Sequence, residues 1–194
     1  HAYDADKIKK EIIVRNAKEG EMFEALDNKK YKLKKDMCVI SDKSRVLGLG
    51  GIIGGTNTST EFDTKNILLE AAYFSPSSIR KTARALNINT DAKYRFERGI
   101  DPNSIKEGLD LATELILKIC GGEASKFQIS GKAKQKNKVI NFQVEKFEKL
   151  IGISITTNEI DKILSSLGFK CKKSQKTIKV EVPSWRPDVS LDED

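Results

Sequence analysis

Asp91-Ala92-Lys93-Tyr94-Arg95-Phe96-Glu97-Arg98-Gly99 is the stretch on which the reading of this chain turns. Charged side chains crowd around two aromatics and a closing glycine, with Thr90 before them and Asp101-Pro102 after. A surface helix would carry an apolar stripe at 3.6-residue spacing, and this segment has none. It reads as a shaped loop or a short, strained helix whose side chains have individual jobs.

Its flanks are more regular. Ser75-Pro76-Ser77-Ser78 opens a helix, with Ser75 as N-cap and Pro76 in the first turn, running to about Leu86. Asp101-Pro102 opens a second helix to Cys120. Ile105, Leu109, Ala112, Ile116 and Ile119 recur on one face, and Gly121-Gly122 ends it. Cys120 on that apolar face is expected to be a small buried hydrophobe.

Upstream the period changes to that of strands. Residues 12–16 and 37–41 read as strands, with Leu26-Asp27-Asn28-Lys29 as a hairpin turn between them. Val46 to Leu49 is a short buried strand leading into Gly50-Gly51-Ile52-Ile53-Gly54-Gly55. That glycine run lacks the Lys-Ser/Thr ending of a P-loop and the spacing of a dinucleotide fingerprint. It is either a tight turn with close backbone packing or a place where backbone N–H groups meet a ligand. Ile67 to Phe74 reads as one strand, apolar but for Glu70. A buried carboxylate there needs a donor. Arg80, Arg84, Arg95 or Arg98 could provide it internally; otherwise it awaits a ligand hydroxyl or amine.

Downstream, residues 131–138 are polar, basic and aperiodic. They divide the chain into residues 1–131, a linker at 132–138 and a second part at 139–194. The second part reads as a strand (139–143), a helix (144–151) closed by Gly152, and a capping box Thr156-x-x-Glu159. The helix after that box carries Ile160, Ile163, Leu164 and Leu167. Strands at 169–173 and 177–182 follow. Two short helices and a basic two-stranded wing resemble a small winged-helix module. The expected class is therefore α+β: a mixed-sheet domain followed by a winged-helix-like α/β module.

Composition narrows the functions. The 194 residues are 38% hydrophobic and 32% charged, which describes a charge-rich globular protein and not a disordered one. No apolar run is long enough to span a bilayer, so no membrane role is expected. The net charge of +7 is compatible with nucleic acid without requiring it, since its excess lies in lysine-rich surface stretches. Cys38, Cys120 and Cys171 are few, odd in number and far apart, which fits a reducing, cytoplasmic setting. His1 is the single histidine, so no His-rich metal site and no Ser–His–Asp triad is expected. The chain opens on His and not Met, and is read as a piece of a longer protein. Asp188, Asp192, Glu193 and Asp194 gather hard oxygen ligands of the kind that suit Mg²⁺, or else cap a following helix.

Five strings in order resemble the β subunit of bacterial phenylalanyl-tRNA synthetases. They are Gly50 to Gly55, Leu68 to Phe74, Thr90 to Pro102, Cys120 to Gly122, and Val182-Pro-Ser-Trp-Arg-Pro-Asp188. The opening His1-Ala-Tyr-Asp4 matches as well. The resemblance covers nearly the whole chain. It implies the second half of that subunit's tRNA-editing domain followed by most of its fifth module.

The implied activity is hydrolytic editing of mischarged Tyr-tRNA(Phe), in support of the ATP-dependent charging of tRNA(Phe). A hydrophobic pocket rejects an analogue with one added hydroxyl by only about a hundredfold, so a second, hydrolytic site is needed. By the resemblance, Glu70 accepts the tyrosine hydroxyl and Ala92 leaves room for the ring. Thr90 lies near the ester and the terminal adenosine, and His1 lines the pocket with a part in orienting water. Gly50 and Gly51 form the pocket floor.

Asp188 and Asp194 match two of four carboxylates used for Mg²⁺, the others falling beyond residue 194. ATP is used by the whole enzyme and not bound in this stretch. The implied partners are the α subunit, in an α2β2 tetramer, tRNA(Phe) and its tyrosine or phenylalanine esters. The family's editing domain continues upstream of His1, so the isolated fragment is expected to be inactive. Two rivals stand beside this. One is a non-catalytic scaffold for tRNA and the α subunit. The other is a nucleic-acid-binding winged helix, weakened because helix 157–167 has no arginine to contact bases.

Overall fold

The computed structural model describes residues 1–131, 137–174 and 177–194. They fall into two compact units, residues 1–100 with 104–131, and residues 101–103 with the part that follows residue 131.

The first unit opens with β1 (Ala2–Asp4), a short 3₁₀ turn (Ala5–Lys7), β2 (Ile13–Asn16), β3 (Met22–Glu24) and β4 (Lys30–Lys32). Next come β5 (Cys38–Ser41), β6 (Val46–Leu49), β7 (Ile53–Gly54) and β8 (Ile67–Leu69). The helices α1 (Pro76–Leu86), α2 (Asp91–Phe96) and α3 (Ile105–Cys120) follow. The main sheet is antiparallel in the order β2-β5-β6-β7. Every residue of β6 is buried, as its uninterrupted apolar sequence requires of a central strand. Val39, Ile40, Leu47 and Leu49 from this sheet form the core with Phe74 and with Ile79 of α1.

Local chemistry explains the boundaries. β3 and β4 pair around the expected turn, where Asn28 takes a positive φ of 60°. Pro76 starts α1 and Asn87, in the left-handed region, ends it. The segment 91–99 is a short helix capped by Thr90, whose hydroxyl accepts from the Lys93 N–H, and it closes at Gly99 with φ 93°.

Three expectations are corrected. The strand expected over Ile67–Phe74 is regular only over Ile67–Leu69, and its pairing with β1 runs on to the backbone bonds between Glu70 and His1. The helix expected from Asp101 starts at Ile105; Asp101 instead accepts the Asn103 N–H in a turn. Cys120 is exposed, not buried, because its helix buries no residue at all. Periodicity says which face of a helix is apolar, not whether anything covers it.

The second unit contains β9 (Val139–Gln143), α4 (Val144–Ile151), α5 (Thr157–Ser166), β10 (Lys170–Lys173) and β11 (Thr177–Glu181). The wing hairpin β10–β11 gains β9 as a third strand, giving the antiparallel order β10-β11-β9. Ile178 and Val180 alternate inward along β11 and meet Ile160 of α5. Both halves of the Thr156–Glu159 capping box form. Of the linker expected at 132–138, residues 132–136 lie outside the described residues. Asn137 donates to Glu181, and the Lys138 carbonyl accepts from the Val182 N–H.

Candidate functional site

The site is built on the β1–β8 ribbon. Tyr3 lies opposite Leu68, and two residues further along His1 and Glu70 exchange both backbone bonds, at 2.8 and 2.7 Å. Side chains alternate along a strand, so His1, Tyr3, Leu68 and Glu70 share one face. That face looks into a cavity of about 260 Å³. Glu70 is half-buried at its wall, with the glycine turn 48–51, Phe74, and Ala92 and Phe96 of α2 around it.

Glu70 does not meet a guanidinium. Its Oε2 accepts a 2.7 Å hydrogen bond from the Tyr3 hydroxyl, and none of Arg80, Arg84, Arg95 or Arg98 takes that place. Burial first, then the nearby Glu70 charge and this hydrogen bond, push the Tyr3 phenol well above its ordinary pKa. It is therefore a fixed donor. Burial and the same carboxylate also raise the Cys38 thiol. The His1 ring stands edge-on to Tyr3 with centroids 4.4 Å apart.

The glycines make room. A Cβ on Gly50 would sit 2.7 Å from Phe74 Cε1, and one on Gly51 would run into Ile79 and Phe74. Gly51 also has φ 68°, a conformation costly for any other residue. A Cβ on Gly54 would strike the His1 ring. The turn thus serves close packing by Phe74 and Ile79 and leaves backbone on the cavity wall at the same time.

The structure brings His1, Glu70, Ala92, Gly50 and Gly51 to this one cavity. Thr90 is not on its wall. Its hydroxyl donates to the Ile52 carbonyl at 2.7 Å and caps α2, so it fixes the turn and the helix to each other. Tyr3 is the residue that the sequence reading missed. The signal was present in the two-residue spacing of His1 and Tyr3, which puts them on one face of any strand.

Comparison with known proteins gives the site a family. Residues 1–121 match the B3/4 domain, and residues 140–194 match the tRNA synthetase B5 domain. The chain belongs to the B3/4 domain family. It is similar to proteins named phenylalanine–tRNA ligase β subunit. Over 97% of this chain it is 41% identical to that of Mesorhizobium japonicum, and over 98% it is 42% identical to that of Bartonella quintana. Over its full length it is 40% identical to that of Wolbachia sp. subsp. Brugia malayi. These matches cover 24%, 24% and 25% of those proteins, so the chain spans about a quarter of their length. A crystal structure of an N-terminal fragment of the phenylalanyl-tRNA synthetase β-subunit from Pyrococcus horikoshii aligns over 98% of this chain and 55% of its own. It does so at 21% identity and a TM-score of 0.45.

In these terms the cavity lies wholly within the B3/4 part. The acidic group of the B5 part is internally engaged. Asp188 forms a two-pronged pair with Arg186, which holds its carboxyl below the usual range. Asp194 caps the Ser190 and Leu191 N–H groups. Asp192 and Glu193 both pair with Lys146. Among the described residues no three acidic, His or Cys side chains are grouped to hold a cation. Asp188 and Asp194 supply two carboxylates of the expected Mg²⁺ set, and here each is engaged by neighbours in its own part. Also among the described residues, no helix is long and apolar enough to cross a membrane.

Proposed function

We propose that the B3/4 cavity is a tyrosine-selective editing pocket, which in the whole β subunit of a phenylalanine–tRNA ligase hydrolyses mischarged Tyr-tRNA(Phe). One observation carries this reading: a glutamate beside a cavity lined by apolar side chains and backbone, with a phenol and not an arginine as its partner. A dry cavity of about 150 Å³ already accepts a benzene-sized ring, so the space here suits one aromatic side chain. A hydrogen bond to a charged acceptor contributes about 1.5–3 kcal/mol. A tyrosyl ester gains that bond at the Glu70 oxygen not taken by Tyr3, whereas a phenylalanyl ester would leave that oxygen facing its ring without a donor.

The chemistry required is ester hydrolysis with water as nucleophile and no covalent intermediate. Glu70 selects the ring and Ala92 leaves the mouth open to it. The glycine turn forms the floor, and His1 stands beside the site with a part in orienting water; the hydroxyls of the terminal ribose are a second candidate for that part. tRNA(Phe) and an α subunit, in an α2β2 assembly, are the partners that follow. ATP serves charging elsewhere in the whole enzyme, Asp188 and Asp194 would hold Mg²⁺ together with further carboxylates outside this stretch, and no editing step runs through either. The test is Glu70→Ala in the complete β subunit. Clearance of Tyr-tRNA(Phe) should collapse, and undiminished clearance would refute the assignment.

A separate observation favours an added scaffold role. Leu111, Leu115 and Ile119 stand in line on α3 at 67%, 54% and 72% exposure. Single exposed leucines are ordinary, but an aligned stripe fits contact with another part of the assembly. Leu115→Lys should weaken association of the subunits without altering ester hydrolysis by the molecules that do assemble.

A further inference from the structure

Glu70 has two carboxylate oxygens, and among the described residues only one of them is hydrogen-bonded internally. Oε2 takes the Tyr3 hydroxyl, while the side chain as a whole borders the cavity. The terminal torsion of a glutamate is broad, so an unanchored carboxylate would rotate and present either oxygen in many directions. Tyr3 is well placed to prevent this. It is 2% exposed and paired to Leu68 in the ribbon, with the His1 ring edge-on against it. Its raised pKa means that the bond has one polarity only, Tyr3 donating and Glu70 accepting.

We propose that Tyr3 is the positioning residue for Glu70: by holding one carboxylate oxygen it aims the other into the cavity, and so sets the selectivity for a hydroxylated ring. This rests on the editing reading above. A hydroxyl-reading group works only when its direction is fixed by a neighbour whose own geometry is locked. Tyr3 meets that condition, since it is buried, strand-bound and chemically constant across the working pH range. The ligand class that benefits is a para-hydroxylated aromatic acyl ester; a ring without the hydroxyl has nothing to gain from the alignment.

Tyr3→Phe removes a single oxygen and keeps the ring, so the fold should survive. The experiment measures hydrolysis of Tyr-tRNA(Phe) and of Phe-tRNA(Phe) by the complete β subunit assembled with its synthetase partner, with Glu70→Ala run in parallel. The expected result is a fall in kcat/KM for the tyrosyl ester of about tenfold, the scale of one hydrogen bond, carried by KM with kcat nearly unchanged. The slow hydrolysis of the phenylalanyl ester should not change. An equal loss on both esters would make Tyr3 merely structural and overturn the proposal. Faster clearance of the tyrosyl ester would show Tyr3 to be a competitor for Glu70 and overturn it too. Full activity of Tyr3→Phe beside an inactive Glu70→Ala would overturn this inference and leave the editing reading standing. Full activity of Glu70→Ala would remove both.

Discussion

The Thr90 hydroxyl lies 2.7 Å from the Ile52 carbonyl and donates to it, while accepting the Lys93 N–H at 3.1 Å. One side chain thereby ties the start of α2 to the loop that follows the glycine turn. It joins two segments that border the cavity, the glycine turn and α2. Thr90→Val should lose both bonds and Thr90→Ser should keep both. Loss of an N-cap costs about 1 kcal/mol, which for a chain of this size is a drop of about 2–4 °C in thermal unfolding. Melting curves of the two variants should separate by at least that amount, with serine matching the parent.

Ala92 stands in the first turn of α2 at the cavity wall. Ala92→Trp would put an indole at the cavity wall where the proposed editing reading has the ligand ring enter, while leaving the Tyr3–Glu70 pair in place. Tyr-tRNA(Phe) clearance by the complete β subunit should fall about a hundredfold, the scale of a misplaced reacting group. Ala92→Gly should retain it. Equal clearance by the tryptophan variant would mean that the ring binds elsewhere.

Much of this was legible in the sequence because its signals are local. Ser75-Pro76 announced α1, and Thr156 with Glu159 announced α5. Glu70 stood out because a charge in an apolar run demands a partner. The identity of that partner was not legible. Tyr3 and Glu70 are 67 residues apart and meet only because β1 pairs with β8. Thr90 was assigned to the ester by resemblance, and only the fold shows that its hydroxyl is committed to Ile52 and Lys93. Cys120 shows the opposite failure: the apolar period of α3 was correct, yet the helix end stands in solvent.

Gly51 and Gly121 allow conformation and crowding to be separated. Both have positive φ, 68° and 71°, but a Cβ on Gly51 meets Ile79 and Phe74 whereas one on Gly121 meets nothing within 4 Å. Gly121, at φ 71° and ψ −160°, has a backbone conformation essentially confined to glycine, so Gly121→Ala should cost that backbone penalty alone, about 1–3 kcal/mol. Gly51→Ala should cost clearly more, because the turn, Phe74 and α1 must all shift. Urea midpoints measured side by side would rank them, and a smaller loss at Gly51 would contradict the packing described for the cavity floor.

Asp42 supplies a pH-dependent contribution to the same unit. It is 3% exposed, and burial alone would raise its pKa. The Ser44, Lys9 and Arg45 backbone N–H groups and the Ser44 hydroxyl overcome that and hold it down at about 2, against an ordinary value of 3.8. A carboxyl whose pKa is depressed by folding stabilises the native state fully above its unfolded pKa. That stability is lost as pH falls through the folded value, so the window runs from about pH 4 down to about 2. Asp42→Asn removes the charge and turns an amide N–H₂ toward the Lys9 N–H. Its melting temperature should be lower at pH 7, and the gap to the parent should narrow as the pH drops across that window. A gap that stayed constant from pH 7 to pH 2 would show that the loss comes from packing and not from the ionised carboxylate.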